Sequence, residues 1–514
     1  MMKYPIGIQD FVKLRKGEYV YIDKTALIHQ LVSTGTYYFL SRPRRFGKSL
    51  LMSSIEAYFM GKRELFKGLA MEKLETEWTE YPVLHLDLNT AKYDCVEALT
   101  SVLNDVLTYW ESLYGTSPTE VTPELRFKGL VRRAYETTGR SVVILVDEYD
   151  KPMLQAIGNE TLQDEYRNIL KAFYSVLKTQ DRYIKFAFLT GVTKFGKVSV
   201  FSDLNNLEDI SMIEAYTSIC GITDDELHTV FDAEVAELAS KCGLTKAECY
   251  DKLRADYDGY HFRQNSEGVY NPFSLLNTLK NRSFGSYWFE TGTPSFLVHL
   301  LKKSGYNLND LQSEVVSPDV LNSINSMSNN PIPVIYQSGY LTIKDYDSRF
   351  GLYSLGFPNR EVEMGFIKYL LPFYTSLGEN KSEFTIYQFV KDVENGKPEA
   401  FMERLQSMFS DSDYQITGNM EKYFQNSMYL VFKMMGFFTE VERNTSRGRM
   451  DILLKTKDYI YILELKLDKS ADEALCQIND KGYAEPFKSD GRHIYKIGVN
   501  FSTETRSIDG WKIE

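Results

Sequence analysis

The sequence predicts an α/β protein of more than one domain, with a parallel sheet near the N-terminus and a smaller α/β unit near the C-terminus. Three observations lead to this prediction. The chain has 514 residues, which is too long for one ordinary core. Residues 1–215 alternate apolar runs with helical patterns, which is typical of a parallel sheet with helices on both faces. Residues 420–514 show a similar alternation on a smaller scale.

The composition is that of a globular protein and excludes several classes. Hydrophobic residues make up 43% and charged residues 25% of the chain. No apolar run reaches about 18 residues and the N-terminus lacks the apolar core of a signal peptide, so we expect no membrane segment. Five scattered cysteines without a C-x-x-C pair are typical of reduced thiols, so we expect a cytoplasmic protein without disulfides or a zinc site.

Charge is unevenly distributed along the chain. The net charge of −11 argues against coating nucleic acid through bulk electrostatics, although a local basic groove remains compatible with it. Residues 421–514 contain 15 Lys and Arg against 15 Asp and Glu, so the acidic excess lies upstream. This asymmetry indicates that the two ends have different functions.

The first predicted strand, YYFLS at residues 37–41, leads into SRPRRFGKSLL and a helical pattern. Gly47, Lys48 and Ser49 resemble the end of a phosphate-binding loop, in which backbone N–H groups surround the phosphates, the lysine reaches the β- and γ-phosphates and the hydroxyl ligates Mg²⁺. The pattern G-x-x-x-x-G-K-[ST] places its first glycine where this chain has Arg42. Pro43, with its fixed φ, could set the turn instead.

The predicted nucleotide-contacting stretch also includes the neighbours of the Gly-Lys-Ser sequence. These are Arg44, Arg45, Phe46 and Leu50. The two arginines could add charge near phosphate, and a solvated basic bulge is the alternative interpretation.

Further strands supply polar residues at their ends. VLHLDL at 83–88 alternates like a strand, and helices are predicted at 94–114 and 161–179. SVVILVDEYD is a buried strand that ends in Asp147, placed to hold the Mg²⁺ water shell, and Glu148, placed to orient an attacking water. IKFAFLT ends in Thr190, where a γ-phosphate would be sensed. Each strand could simply end in polar residues, but their order and spacing together favour a P-loop ATPase.

The middle of the chain changes character after about residue 215. Helical patterns dominate from 223 to 310, and 334–355 is predicted to form two strands around a polar turn. Helices are predicted at 361–378 and 385–410. Near the C-terminus we predict a helix at 420–435, strands at 450–455, 459–467 and 494–501, and a helix at 471–484.

A second set of chemical groups lies in RGRMDILL and YIYILELKL. Asp451 begins one strand, and Glu464 and Lys466 lie two apart in the next, so both point to one face. Two carboxylates can chelate Mg²⁺, and an adjacent lysine can orient water or stabilise developing charge, which together suit phosphodiester hydrolysis. A solvent-exposed hairpin is the alternative interpretation.

Two more residues are candidates for this C-terminal site. Gln477, one helical turn before Lys481, could contact a phosphate backbone. Glu421 is either an additional acid near the metal or a simple N-terminal helix acid.

These sequences together resemble a bacterial family with an N-terminal AAA-ATPase-like domain and a C-terminal PD-(D/E)XK nuclease-like domain. The resemblance covers nearly the whole chain and is carried by YPIGIQDF, YVYIDKT, SRPRRFGKSLL, ILVDEYDKP, LTGVTKFGKVSVFSDLNNLEDIS, YDGYHF, YNPFSLLN, YQSGYLTI, GFPNREVEMGF, GRMDILL, ILELKL and IGVNF. In this family R-P-R-R-F-G-K-S is the usual loop, so Arg42 is no peculiarity of this chain.

The resemblance implies a domain plan and a set of cofactors. It implies a P-loop domain at 1–215 like that of signal-transducing ATPases, a helical lid with a winged-helix-like module at 216–380, and a restriction-endonuclease-like α/β domain at 381–514. The nuclease signature falls on Asp451, Glu464 and Lys466. ATP and Mg²⁺ are the implied cofactors, with Mn²⁺ as an alternative at the nuclease site.

The expected function is an ATP-binding and ATP-hydrolysing switch coupled to a metal-dependent nuclease. The expected partner is nucleic acid, DNA rather than RNA, while the oligomeric state stays open, as does the choice between defence and mobile-element biology. One alternative is an ATP-dependent scaffold or regulator whose nuclease-like domain binds without cutting. Another is an ATPase that moves DNA, which the acidic upstream chain and the lack of further helicase-like motifs disfavour.

Overall fold

The structure, a computed structural model, describes residues 2–194, 204, 206–289, 295–322, 330–375, 379–410, 420–436, 438–446 and 449–514. It contains two compact units, each described by itself below. The first comprises Met1–Leu300 and Gln312–Val362, and the second comprises Leu301–Leu311 and Glu363–Glu514. None of the helices traced within these ranges combines the length and the apolar character needed to cross a bilayer.

The first unit is built on a five-stranded parallel sheet, as predicted. Its strands are β1 (Tyr37–Ser41), β2 (Val83–Asp87), β3 (Val142–Asp147), β4 (Ile184–Gly191) and β5 (Glu208–Asp209). They are arranged in the order β2-β3-β4-β1-β5, so β4 lies between the strand that enters the Gly-Lys-Ser loop and the strand that ends in Asp147. The parallel arrangement places the carboxyl ends of these strands at one edge of the sheet.

Helices cover both faces of this sheet because its strands are apolar on both sides. They are α1 (Phe11–Lys16), α2 (Thr25–Thr34), α3 (Lys48–Phe59), α4 (Ala70–Leu74), α5 (Val96–Tyr114), α6 (Pro123–Thr138), α7 (Lys151–Gln155), α8 (Glu160–Tyr174) and α9 (Val176–Thr179). On one face, Phe186 packs against Phe59 of α3 with ring centroids 5.1 Å apart. On the other, Ala187 joins a core that includes Phe127 of α6 and Phe173 of α8.

A helical segment follows the sheet, as predicted, with its own apolar core. Its helices are α10 (Asp224–Val230), α11 (Asp232–Cys242), α12 (Lys246–Tyr257) and α13 (Pro272–Asn281), followed by α14 (Ser295–Ser304). Capping boxes start two of them, since Thr223 pairs with Glu226 and Thr245 with Glu248. We call α10 to α13 and the segment that connects them to β5 the lid.

A small antiparallel sheet completes the first unit. Its elements are β6 (Val315–Val316), α15 (Pro318–Asn322), α16 (Ile332–Gln337), β7 (Thr342–Asp347) and β8 (Leu352–Gly356), with strand order β6-β8-β7. The prediction of strand at the start of 334–355 was wrong, because Pro333 in its first turn and the buried Val334 and Ile335 begin a helix there. The winged-helix-like assignment stays a prediction.

The second unit combines helices with a five-stranded mixed sheet. Its elements are α17 (Arg360–Tyr374), α18 (Glu379–Glu394), α19 (Pro398–Ser410), α20 (Met420–Met435), β9 (Glu440–Ser446), β10 (Arg449–Lys455), β11 (Tyr459–Leu467), α21 (Ala471–Asp480), β12 (His493–Ser502) and β13 (Ser507–Ile513). The strand order is β13-β12-β11-β10-β9, with only the β11–β12 pair parallel. The single helix predicted at 385–410 is two helices, separated at Gly396, whose φ is +67°.

The central strand β11 is covered on both faces, which fixes the orientation of its side chains. Tyr461 donates its hydroxyl proton to the carbonyl oxygen of Val393 in α18, at 2.7 Å. On the opposite face, Ile460 and Ile462 pack with Ile478 of α21. Because side chains alternate along a strand, Glu464 and Lys466 lie on the α21 face.

Candidate nucleotide site and candidate nuclease site

The loop between β1 and α3 has the shape of an anion cradle. Gly47 adopts φ 90° and ψ 18°, in the left-handed region, and no side chain caps the helix that begins after it. A Cβ built on Gly47 meets no atom within 4 Å, so open space lies beside the loop. Uncapped N–H groups at the start of a twelve-residue helix, facing open space, fit the phosphates of a nucleotide.

Lys48 and the acidic pair at the end of β3 converge on this loop. The Lys48 ammonium donates to the carbonyl oxygens of Arg42 and Pro43 at 3.1 and 3.2 Å. It also lies 3.7 Å from Glu148 Oε1. Glu148 has φ 53°, a conformation that costs a non-glycine residue about 1–3 kcal/mol and is common at functional sites. The strand end therefore directs this carboxylate toward the lysine.

Ser49 and Asp147 are neighbours, as two oxygen ligands of one Mg²⁺ would be. Asp147 is buried, and its burial raises the pKa of its carboxyl group. The nearby Ser49 side chain opposes that rise, as does the charge of Lys48, while the charge of Glu148 adds to it. A carboxylate and a hydroxyl at the phosphate edge match the hard oxygen ligands that Mg²⁺ takes.

Thr190 lies at the predicted position but uses its hydroxyl within the sheet. It is fully buried in β4, and Oγ1 donates to the carbonyl oxygen of Leu40 in β1 at 2.9 Å. Its side chain therefore links the loop strand β1 to the strand beside it.

Asp150 is a member of this cluster that the sequence reasoning missed. Its buried carboxylate accepts hydrogen bonds from the backbone N–H groups of Val192 and Thr193 at 3.2 and 2.6 Å, and from Thr193 Oγ1 at 2.5 Å. Burial, and then the charge of Glu148, raise the pKa of Asp150 to about 6. The available signal was its spacing, since Asp150 stands three residues after Asp147.

We expect the stability contribution of Asp150 to fall as the pH rises. Because its folded-state pKa of about 6 exceeds its ordinary value of 3.8, the folded protein retains a proton that the unfolded chain has released between these values. Asp150→Asn mimics the protonated form and does not titrate. The unfolding temperature of the wild type, minus that of the variant, should therefore decrease between about pH 4 and pH 7. A difference that stays constant over this range would contradict the prediction.

Arg42, at the position of the missing first glycine, is a buried brace. Its guanidinium donates to the carbonyl oxygens of Ser41, Ser211 and Tyr216 at 2.9, 2.8 and 3.0 Å. It also lies over the Phe262 ring, 3.9 Å from the centroid. Burial lowers the pKa of Arg42 to about 10, so the group stays charged at neutral pH.

The middle of the loop is also held by residues of the lid and by Trp288, which follows α13 in the chain. The buried Phe46 ring packs edge-on against Tyr260 at 4.7 Å between centroids. The Arg45 guanidinium lies 4.7 Å from the Phe273 ring centroid. The Arg44 carbonyl oxygen accepts a hydrogen bond from Trp288 Nε1 at 3.2 Å. Two of the side chains predicted to contact the nucleotide, those of Arg45 and Phe46, thus pack on the lid.

Gly339 approaches this loop closely at Pro43. It has φ +89°, and a Cβ built there would lie 2.6 Å from Pro43 Cβ. Gly339→Ala should lower stability by about 1–3 kcal/mol and weaken ATP binding, because it pushes on the loop as well as straining the backbone. Gly243→Ala is the matched control, since Gly243 has φ +69° and a Cβ built there meets no atom within 4 Å. Thermal unfolding with and without ATP checks this, and equal losses in both variants would contradict it.

A mostly apolar cleft opens next to the cradle. Its walls include Val20, Tyr21, Ile22 and Lys24 of the N-terminal segment, Leu50 at the start of α3, and Ile219 to Ile222 with Phe231 of the lid. Lys24 pairs with Glu226 at 2.6 Å and so joins the N-terminal segment to the lid. An apolar cleft beside a phosphate cradle suits the base of a nucleotide.

In the second unit, β10 and β11 bring the predicted nuclease residues into register. Asp451 is the direct partner of Glu464 in the antiparallel ladder, so both positions lie on one face. Glu464 is fully buried, and Lys466 donates to Glu464 Oε1 at 2.5 Å. A buried carboxylate opposite a second acidic position is a donor set that fits a divalent cation.

Gln477 reaches the same group from α21. Its Oε1 accepts a hydrogen bond from Lys466 Nζ at 2.5 Å, and its Nε2 lies 3.5 Å from the Tyr483 hydroxyl. α21 can approach so closely because Gly498 of β12 has no side chain: a Cβ there would lie 2.3 Å from the Ala471 carbonyl oxygen. Gln477 therefore holds the lysine, and its contact with a phosphate backbone stays a prediction.

Two predicted residues have side chains outside the described part of the structure. They are Asp451 and Glu421, whose backbones lie in β10 and at the start of α20. Among the side chains that the structure describes, no three His, Cys, Asp or Glu groups come together as metal ligands.

Comparisons with known proteins assign the two candidate sites to two different domain families. The family described as predicted AAA-ATPase matches residues 5–201, and the PD-(D/E)XK nuclease superfamily matches residues 419–511. An uncharacterised protein in the vnfD 5′ region of Azotobacter chroococcum mcd 1 is 36% identical over 528 residues, covering 100% of this chain and 99% of that protein. The first match contains the phosphate cradle, and the second contains the Asp451, Glu464 and Lys466 positions.

Proposed function

This chain belongs to a family that joins an AAA-ATPase-like domain to a PD-(D/E)XK nuclease-superfamily domain. From that premise we propose that the protein is an ATP-dependent switch that controls a metal-dependent nuclease acting on DNA. The observation that carries the proposal is the nuclease register. Position 451 is the register partner of Glu464 across two paired strands, and Lys466 lies on the same face of the sheet as Glu464. A domain that only bound nucleic acid would not need a fully buried carboxylate at this position.

The nucleotide site contributes the regulatory half of the proposal. Lys48 would hold the β- and γ-phosphates, Ser49 and Asp147 would hold Mg²⁺, and Glu148 would orient the attacking water. Lys48 and Glu148 already lie within 3.7 Å of each other, so a γ-phosphate would enter between groups of opposite charge. Asp150 would act as a positioning residue, because it fixes the turn that follows β4.

At the nuclease site, Asp451 and Glu464 would hold a divalent cation, which supplies Lewis acidity and a lowered pKa for bound water. Lys466 would stabilise the charge that develops on the phosphate. Its ammonium is oriented for this by the two oxygen atoms of Glu464 and Gln477 that accept its protons. The Lys466 ammonium is therefore positioned before substrate arrives.

The test is DNA cleavage by the full-length protein under defined nucleotide states. We expect Mg²⁺ or Mn²⁺ to be required, EDTA to stop the reaction, and the cleavage rate to differ between ATP, ADP and a non-hydrolysable ATP analogue. DNA binding without cleavage in every metal would instead support the scaffold alternative. Cleavage of RNA but not DNA would correct the substrate class, and equal rates in all nucleotide states would overturn the switch.

A further inference from the structure

The strand beside the catalytic pair carries a polar side chain that the proposed nuclease does not yet use. β12 runs parallel to β11, and its register pairs Glu464 with Gly498 and Lys466 with Asn500. Because register partners share a face of the sheet, Asn500 stands directly beside Lys466 on the α21 face. Gly498 contributes no side chain there, so Asn500 is the side chain that β12 presents next to the site.

The orientation of the Asn500 amide is fixed by one hydrogen bond. Asn500 Oδ1 accepts from the backbone N–H of Lys469, in the turn after β11, at 2.9 Å. A backbone N–H can donate only to the amide oxygen, so this hydrogen bond does not use the NH₂ group of the Asn500 amide. Within the described part of the chain, Nδ2 has no hydrogen-bond acceptor.

The free donor of Asn500 can be reached from solvent. The residue is only 5% exposed, yet Nδ2 is not among the fully enclosed side-chain atoms that lack a partner, so a ligand oxygen can approach it. Its neighbour in the register, Lys466, can only donate hydrogen bonds and is 9% exposed. Two adjacent donors on the face that carries Glu464 match an anionic oxygen, and the anion that a phosphodiesterase site receives is the substrate phosphate.

We propose that Asn500 is a substrate-binding residue whose Nδ2 donates a hydrogen bond to a non-bridging oxygen of the bound phosphodiester, beside Lys466. This inference rests on the proposed nuclease function. It adds a residue from a third strand to a site whose other residues come from β10, β11 and α21. It also explains why a polar residue interrupts the apolar strand IGVNF.

The test uses the full-length protein and two substitutions. Asn500→Asp keeps the oxygen that accepts from Lys469 but removes the donor and places negative charge toward the phosphate. Asn500→Ala removes the donor without adding charge. Asn395→Asp makes the same chemical change in the same unit at an exposed position, where the amide bonds to the Lys391 carbonyl oxygen.

Two measurements separate substrate binding from a purely structural role. The affinity for a short fluorescein-labelled DNA is measured by anisotropy in EDTA, and single-turnover cleavage is measured with Mg²⁺ or Mn²⁺. We expect both Asn500 variants to bind and cut roughly 10- to 100-fold less well, as the loss of a charge-assisted hydrogen bond implies. Their unfolding temperatures should stay near that of the Asn395→Asp control.

The outcomes distinguish this inference from the proposed function. Variants of Asn500 that bind and cut DNA like the wild type overturn the inference and leave the nuclease intact. A loss of activity matched by a loss of thermal stability in both variants assigns Asn500 a structural role and also overturns it. A wild-type protein that neither binds nor cuts DNA overturns the inference together with the function on which it rests.

Discussion

Glu464→Gln and Asp451→Ala should each reduce DNA cleavage by at least about a thousandfold. A metal ion contributes several kcal/mol of transition-state stabilisation, and about 4 kcal/mol corresponds to a thousandfold in rate. Glutamine retains the volume of the fully buried Glu464 side chain and an oxygen that can accept from Lys466, but it loses the charge that holds a cation. Single-turnover cleavage with Mg²⁺ or Mn²⁺ measures the effect.

The control for this pair is Glu473→Gln, which removes an exposed acid from the first turn of α21 in the same unit. It should leave the cleavage rate unchanged. The anisotropy assay in EDTA should show that Glu464→Gln still binds DNA, because the substitution removes a negative charge from a site for an anion. Residual cleavage within tenfold of wild type in both site variants would rule out this metal site.

Lys48→Ala should abolish the stabilisation that ATP gives to the wild type. A ligand present at about 100 times its dissociation constant stabilises a protein by about 2.7 kcal/mol, which raises the unfolding temperature by a few degrees. Lys48 is the buried cation of the cradle, and its present acceptors are the carbonyl oxygens of Arg42 and Pro43. Phosphate oxygens would replace these neutral acceptors with charged ones, and alanine cannot make that contact.

Lys128→Ala is the matched control, because Lys128 is an exposed lysine of α6 in the same unit. Its variant should keep the full shift with ATP and Mg²⁺. Trp288 gives a second measurement, since its indole N–H is bonded to the loop at the Arg44 carbonyl oxygen and its fluorescence should respond to a nucleotide in the cradle. An ATP shift that survives Lys48→Ala would place nucleotide binding elsewhere.

The parts of the fold that could be predicted from sequence depend on local patterns. The runs at β1, β3 and β4 are almost continuously apolar, apart from Lys185 and the polar residues at their ends, so their burial in a parallel sheet could be expected from composition. The edge strands β9 and β13 were missed, because EVERNTS and SIDGWKI mix polar and apolar residues as strands with a solvent-facing side do.

At the candidate sites, too, local sequence patterns predicted some residues and missed the roles of others. Residue type and spacing indicated Lys48, Asp147, Glu464 and Lys466, because each belongs to a motif with a known mechanism. The role of Arg42 could not be predicted, since its acceptors lie at Ser211 and Tyr216 and its aromatic partner at Phe262. Partners so distant in sequence meet only through the fold.

The residues that hold the phosphate cradle are distant from it in sequence, so they determine when during synthesis the chain can first bind a nucleotide. Translation proceeds from the N-terminus at about 5–20 residues per second, and a domain folds once all its parts have emerged. The cradle residues Arg42 to Ser49 emerge early, whereas Phe262, Trp288 and Gly339, which hold the loop, emerge much later. A ribosome-bound chain that stops at the predicted boundary of 215 therefore carries the Gly-Lys-Ser sequence without the residues that shape it. Nucleotide capture should begin only after the small antiparallel sheet has left the ribosome.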